Sequence, residues 1–134
     1  MAAPRTFIRY RFPAVLWAML IFAGSSIPSK AFPVIKIFEF DKFIHLAVFF
    51  VFGFLVYRSL ARTDDGVAFS WSRATLATLV VVVYGILDEF HQSFVPGRTP
   101  DVWDATADTL GGIVAVIVLF AYYRWKATKP RMET

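Results

Sequence analysis

Four long apolar blocks separated by polar stretches dominate the sequence of this 134-residue chain. A helix that crosses a bilayer needs roughly 20 mostly apolar residues. The blocks therefore predict four transmembrane helices, at about residues 12–27, 43–60, 74–90 and 105–123. We interpret residues 1–134 as one domain of the all-α class, an integral membrane bundle.

Composition supports the membrane interpretation. Hydrophobic residues make up 57% of the chain, whereas soluble domains contain roughly 45–50% apolar residues. The absence of cysteine from the sequence excludes disulfides and thiolate chemistry. The first block also has features of a cleavable signal peptide, because basic residues precede it and it contains the small residues "AGSS". We prefer a transmembrane helix, since no plausible soluble product follows.

The charged residues predict the orientation of the bundle. Ten of the 14 lysines and arginines lie on one side of the predicted topology, and seven of the ten acidic residues lie on the other. Cytoplasmic segments are enriched in Lys and Arg, so both termini are predicted to be cytoplasmic. The net charge of +4 is thus an orientation signal and does not indicate nucleic-acid binding. The expected location is a bacterial inner or plasma membrane, which the chain crosses several times.

Two polar stretches are predicted to lie on the same outer face, where helices meet the membrane surface. They are "EFDKFIH", residues 39–45, and "DEFHQSFVPGRTPDVWD", residues 88–104, and together they contain both histidines. Asp41 and His45 are four residues apart and therefore share a helix face. Ionisable residues within a membrane are candidates for function by default. The stretches therefore predict a polar site at the outer mouth of the bundle.

Helical spacing also groups the polar residues of the third and fourth helices. Tyr84, Asp88 and His91 recur on one face of the third helix, and a stripe of aspartates (Asp101, Asp104 and Asp108) recurs in the fourth. If Thr99 is the N-cap and Pro100 lies in the first turn, the whole aspartate stripe is helical. The alternative is that Asp104 is the N-cap. In both cases we expect Asp108 to pair with His45, His91, Lys42 or Arg98.

The sequence resembles the VanZ-like family, named for a teicoplanin-resistance protein. The first matching motif consists of Asp41, Lys42 and His45. The second consists of Asp88, Glu89, His91, Gln92, Phe94, Pro96, Gly97 and Arg98, followed by Asp104, Asp108 and Gly111. The resemblance covers about residues 41–116. It implies a small membrane protein of several helices and a link to glycopeptide susceptibility or the cell envelope, without implying a particular reaction.

The candidate residues have both functional and structural interpretations. The candidate catalytic residues are Asp41, His45, Asp88, Glu89 and His91. The candidate substrate-binding residues are Lys42, Gln92, Arg98, Asp104 and Asp108. Carboxylates beside a histidine suit proton transfer, and a guanidinium suits capture of a phosphate or carboxylate. The structural alternatives are a hydrated helix end for the acids, anchoring or ion pairing for the arginine, and snorkelling for the lysine.

Several functions fit this pattern. We favour a membrane-embedded hydrolase or transferase that acts on a lipid or lipid-linked envelope precursor. The main alternative is a non-catalytic protein that binds or masks a glycopeptide or its target, and a proton-coupled carrier is a weaker third. The sequence identifies no cofactor and has no short metal-binding motif, so we expect no metal, although residues converging from three helices could hold one. Membrane lipids are expected partners, and four short helices are compatible with an oligomer.

Overall fold

The computed structural model describes residues 7–29, 40–60 and 68–129. These ranges contain four α-helices: α1 (Phe12–Ser25), preceded by a π-helical turn (Phe7–Arg11), α2 (Phe40–Ser59), α3 (Trp71–Gln92) and α4 (Val102–Thr128). No strand occurs within them. All four helices, α1 taken with its π-helical turn, are long and apolar enough to cross a membrane. The predicted all-α membrane bundle is confirmed, and the cytoplasmic position of the termini stays a prediction.

The ends of the helices differ from the predicted ones where polar side chains bind backbone groups. α3 begins at Trp71 because the Ser70 side chain accepts a hydrogen bond from the Arg73 N–H, 3.4 Å away. α4 begins at Val102, and its N-cap is Asp101, whose carboxylate accepts from the Trp103 N–H at 2.8 Å. Neither of the two N-caps considered from the sequence is therefore correct. A carboxylate at this position also interacts favourably with the helix dipole.

α2 is the central helix of the bundle, and its most extensive contact is with α4. Phe49, Phe52 and Tyr57 of α2 are buried, together with Val81 of α3 and Leu119 of α4. α1 contributes only one buried apolar side chain to this core in the described ranges. Many large apolar side chains on the outer faces are exposed. Such an extensive apolar surface is unusual for a soluble monomer and suits contact with lipid.

Two glycines of α4 allow the helices to approach closely. A Cβ on Gly111 would overlap the carbonyl oxygen of Leu46 and lie 2.9 Å from the backbone nitrogen of Phe50, both in α2. A Cβ on Gly112 would lie 2.7 Å from a methyl group of Val81 in α3. Small residues permit such backbone contacts in membrane bundles. The Gly111 contact fixes the distance between α2 and α4.

We therefore expect Gly111→Ala to force α2 away from α4. The added methyl meets backbone atoms, which cannot rotate aside, so the loss of stability should be about 1–3 kcal/mol, as for overpacked cores. Thermal unfolding of the detergent-solubilised protein measures this effect. Gly24→Ala in α1 is the matched control, because a Cβ there has no neighbour within 4 Å among the described residues. Equal melting temperatures for the two variants would contradict the assigned role of Gly111.

Candidate functional site

Polar side chains from three helices converge at one end of the bundle. They come from the start of α2, the end of α3 and the start of α4, including the cap that precedes it. We name this set the α2–α4 polar cluster, and its members are Asp41, Lys42, His45, Glu89, Asp101, Asp104 and Asp108. Glu39 of the first polar stretch lies outside the described residues.

Lys42 joins α2 to the start of α4 at the rim of the cluster. Its ammonium donates to Asp101 at 2.8 Å and to Asp104 at 2.6 Å. The hydrogen bond from Lys42, followed by the one from the Trp103 N–H, holds the pKa of the Asp101 carboxyl below its usual range. The Lys42 side chain remains 36% exposed. Two of its three N–H donors are therefore used, and the ammonium is still accessible from outside.

His45 and Asp108 form the most deeply placed contact of the cluster. His45 Nδ1 lies 2.9 Å from Asp108 Oδ1, and Asp108 has no exposed surface. Because an ionised carboxylate only accepts hydrogen bonds, Nδ1 carries the proton in this pair. His45 Nε2 lies 3.9 Å from Asp41 Oδ1, beyond hydrogen-bond distance. Asp108 therefore orients the imidazole through Nδ1.

Glu89 completes the buried part of the cluster. Its Oε2 accepts a hydrogen bond from the Asp101 N–H at 2.8 Å. Its other oxygen, Oε1, and Asp108 Oδ2 are both buried and have no hydrogen-bond partner among the described residues. Two sets of side chains have donor atoms within 4.8 Å of one another, as a metal site requires: His45 with Glu89 and Asp108, and His45 with Asp41 and Asp104.

A second polar group joins α3 to the end of α1, and we name it the α1–α3 polar contact (Ser25, Ser26, Asp88, His91 and Gln92). Ser25 donates to Asp88 Oδ1 at 2.6 Å, and Gln92 donates to Asp88 Oδ2 at 3.0 Å. Ser26 Oγ lies 2.9 Å from His91 Nε2. Asp88 and Glu89 are adjacent in sequence, but a helix turns about 100° per residue, so they face different neighbours.

The serine–histidine pair of this contact does not have the geometry of an activated nucleophile. The Ser26 hydroxyl has one proton, and it donates that proton to the Phe22 carbonyl oxygen at 2.6 Å. The ring nitrogen of His91 must then donate to Ser26 Oγ. A histidine that activates a serine would accept the proton instead. We therefore interpret His91 as a group that fixes α1 against α3.

Arg98 also contacts the end of α1. The Pro96–Gly97 turn closes with a hydrogen bond from the Arg98 N–H to the Val95 carbonyl at 3.1 Å, and Gly97 has the positive φ of 78° that such a turn favours. The guanidinium donates to the Ile27 carbonyl at 3.2 Å and the Gly24 carbonyl at 3.3 Å. The last carbonyls of a helix lack partners within the helix, so Arg98 stabilises this end of α1.

Comparison with known proteins places the chain in a family. The family model described as VanZ/LLP1 matches residues 6–123, which is most of the sequence. The chain belongs to the VanZ/LLP1 family. With its four apolar helices, this membership indicates a multi-pass membrane protein. The resemblance drawn from the sequence motifs is thereby confirmed.

One curated relative of this VanZ/LLP1 chain comes from Schizosaccharomyces pombe and is described as "Uncharacterized protein C11E3.10". It is 30% identical over 97 residues, which cover 69% of this chain and 54% of the relative. The chain thus spans about half the length of this relative. Because the relative is eukaryotic, the predicted bacterial membrane stays a prediction. No solved structure matches the chain.

The structure separates the predicted site residues of this VanZ/LLP1 member into two sets. Asp41, Lys42, His45, Glu89, Asp104 and Asp108 lie in the α2–α4 polar cluster. Asp88, His91 and Arg98 contact α1 or its end, and Gln92 donates to Asp88. Ser25 and Ser26 were not predicted as site residues. Their only signal in the sequence is a pair of small polar residues at the end of an apolar block, which is also a feature of the signal-peptide alternative that we did not prefer.

The hydrogen bond from Ser25 is expected to hold α1 on the bundle of this VanZ/LLP1 member. Ser25→Ala leaves Asp88 Oδ1 buried without this donor, which should cost about 1–3 kcal/mol of stability. Thermal unfolding and the rate of proteolysis within α1 should both report the loss. Ser93→Ala is the matched control, since the exposed Ser93 hydroxyl donates to a local carbonyl. If Ser25→Ala unfolds and is cleaved like the control, Ser25 does not dock α1.

Proposed function

We propose that this chain is a membrane-embedded hydrolase or transferase that acts on the headgroup of a lipid or lipid-linked envelope precursor. The reaction would take place in the α2–α4 polar cluster, at the end of the bundle predicted to face away from the cytoplasm. The observation that carries the proposal is the 2.9 Å contact between His45 Nδ1 and the fully buried Asp108. A site built only to bind an anion would not require an oriented imidazole.

The orientation of His45 suits acid–base chemistry. A carboxylate that accepts from Nδ1 selects one tautomer and stabilises the imidazolium that forms when Nε2 takes a proton. Nε2 can therefore accept the proton of an attacking water or hydroxyl group and return it to a leaving oxygen. A positioned group of this kind contributes roughly 10²–10⁴-fold to a reaction rate. Hydrolysis and headgroup transfer both need this proton transfer.

The surroundings of the cluster support a lipid substrate. Large apolar side chains next to it in sequence are strongly exposed, among them Phe43, Val102 and Trp103. A lipid could therefore reach the cluster laterally while its acyl chains stay in the membrane. Lys42, which is partly exposed, is positioned to attract an anionic headgroup. Its contacts with Asp101 and Asp104 would compete with that headgroup, so binding must rearrange the rim.

A link to glycopeptide susceptibility would follow if the substrate is an envelope precursor to which such an antibiotic binds. The relative in Schizosaccharomyces pombe favours a substrate that yeasts also make, and membrane lipids satisfy this condition. Membrane lipids are therefore the preferred substrate class, and lipid-linked precursors are the second. Binding or masking of a glycopeptide target without reaction is the competing function, and the same experiment tests it.

The two histidines of the chain provide a matched pair of variants for this test. Purified wild-type, His45→Gln and His91→Gln proteins are incubated with lipid extracts that contain lipid-linked precursors, and the lipids are followed by mass spectrometry. We expect one lipid class to be converted by the wild type. His45→Gln should lower the initial rate by about 10²–10⁴-fold. His91→Gln, once shown to be folded, should retain most of the rate.

Two results would contradict the proposed function. If folded wild-type protein changes no lipid species, the proposed reaction is rejected for these lipids, and binding without reaction becomes the preferred function. If His45→Gln converts the lipid as fast as His91→Gln does, an enzyme is established but its reactive group lies outside the α2–α4 polar cluster.

A further inference from the structure

We propose that His45, Glu89 and Asp108 bind a divalent transition-metal ion between α2, α3 and α4. Each residue offers a donor atom, and the three atoms lie within 4.8 Å of one another. The three residues come from three helices, so the packing of the bundle, and not a short sequence motif, brings them together. The sequence-based expectation of no metal depended on the absence of such a motif.

Unpartnered oxygen atoms are the second observation that points to an ion. Glu89 and Asp108 are 7% and 0% exposed. One oxygen of each, Glu89 Oε1 and Asp108 Oδ2, has no hydrogen-bond partner in the described ranges. Buried polar atoms nearly always have a partner, because an unsatisfied one costs about 1–3 kcal/mol. A cation placed between the two carboxylates would satisfy both atoms.

The charge of the cluster also favours a cation. Five carboxylates of the α2–α4 polar cluster face one ammonium and one imidazole. The ammonium of Lys42 is already engaged by Asp101 and Asp104 at the rim. The deeper carboxylates, Glu89 and Asp108, lie beside the imidazole of His45. Buried charges are normally paired or coordinate metals.

The donor types indicate which ions fit. Carboxylates alone suit Mg²⁺, Ca²⁺ and Mn²⁺, whereas an imidazole in the set favours Zn²⁺, Fe²⁺ or another transition metal. One nitrogen and two carboxylates leave coordination positions open, as catalytic metal sites do and closed structural sites do not. We therefore expect Mn²⁺ and Zn²⁺ to bind at the same place.

Binding of the ion does not depend on the proposed function. Only the effect of the ion on catalysis rests on that function. In the enzyme, the ion would polarise a phosphoryl or carbonyl oxygen of the substrate, or a water molecule. The imidazole of His45 would then bind the ion instead of accepting a proton. These two roles of His45 predict different responses to a chelator, because only the metal-ligand role makes lipid turnover depend on the ion.

Binding of Mn²⁺ to chelator-treated, full-length protein in detergent tests the site directly. The electron paramagnetic resonance signal of free Mn²⁺ falls as the ion binds, and we expect one ion per chain, displaced by Zn²⁺. Glu89→Gln removes a ligand and should weaken binding by at least about tenfold, the smallest loss typical even of outer-shell changes. Asp88→Asn is the matched control, because it neutralises the adjacent carboxylate, which Ser25 and Gln92 already satisfy.

A measurement on the unmutated chain guards against variants that fail to fold. Protein labelled with ¹⁵N-histidine and loaded with Mn²⁺ should show magnetic coupling between the ion and one imidazole nitrogen. The proposal is overturned if folded wild-type protein binds no Mn²⁺ or Zn²⁺, or if no nitrogen coupling appears. It is also overturned if Glu89→Gln binds as tightly as the wild type, or if Asp88→Asn loses affinity equally.

Failure of the metal site can be distinguished from failure of the proposed function. Lipid conversion that continues at the same rate in excess chelator would reject a catalytic role for the ion and keep His45 as the proton acceptor. Tight Mn²⁺ binding by a protein that converts no lipid would keep the ion and reject the enzyme.

Discussion

The close approach of α2 and α4 at Gly111 is the constraint on which the polar site depends. With no side chain at this position, the backbone of α4 lies against the Leu46 carbonyl and the Phe50 nitrogen of α2. Asp108 is three residues before Gly111, and His45 is next to Leu46. The same contact therefore brings the carboxylate and the imidazole to 2.9 Å. Gly85 contributes from α3, because a Cβ there would lie 3.2 Å from Asp108 Oδ2.

The α1–α3 polar contact and the α2–α4 polar cluster lie at the same end of the bundle, but they differ in whether hydrogen bonds satisfy their buried carboxylates. In the α1–α3 polar contact, Asp88 is satisfied by two side-chain donors, and Arg98 binds carbonyls of α1. Such a network stabilises a peripheral helix that adds little to the apolar core. In the α2–α4 polar cluster, two buried carboxylates each retain an unpartnered oxygen in the described part of the chain. Unsatisfied buried polar atoms need a specific explanation, and a ligand provides one.

Helical periodicity predicted which polar residues share a helix face, but not which residues of other helices they contact. The four helices follow from block length and hydropathy, and the aspartate stripe of α4 follows from spacing. Spacing also shows that Asp88 and Glu89 face different directions, yet it does not indicate that Asp88 faces α1 and Glu89 faces α4. That choice depends on how the helices are rotated in the bundle. The N-cap of α4 was missed because Thr99, Asp101 and Asp104 all have side chains that cap helices.

The protonation of the His45 ring tests the central claim, that close helix packing holds this imidazole against a buried carboxylate. The chain has only two histidines, so His91→Gln leaves a single ¹⁵N-labelled ring for NMR. We predict that the proton of His45 resides on Nδ1, exchanges slowly with water and is strongly deshielded, and that Asp108→Asn abolishes this signal. A ring that exchanges rapidly at both nitrogens and is insensitive to Asp108→Asn would contradict the account.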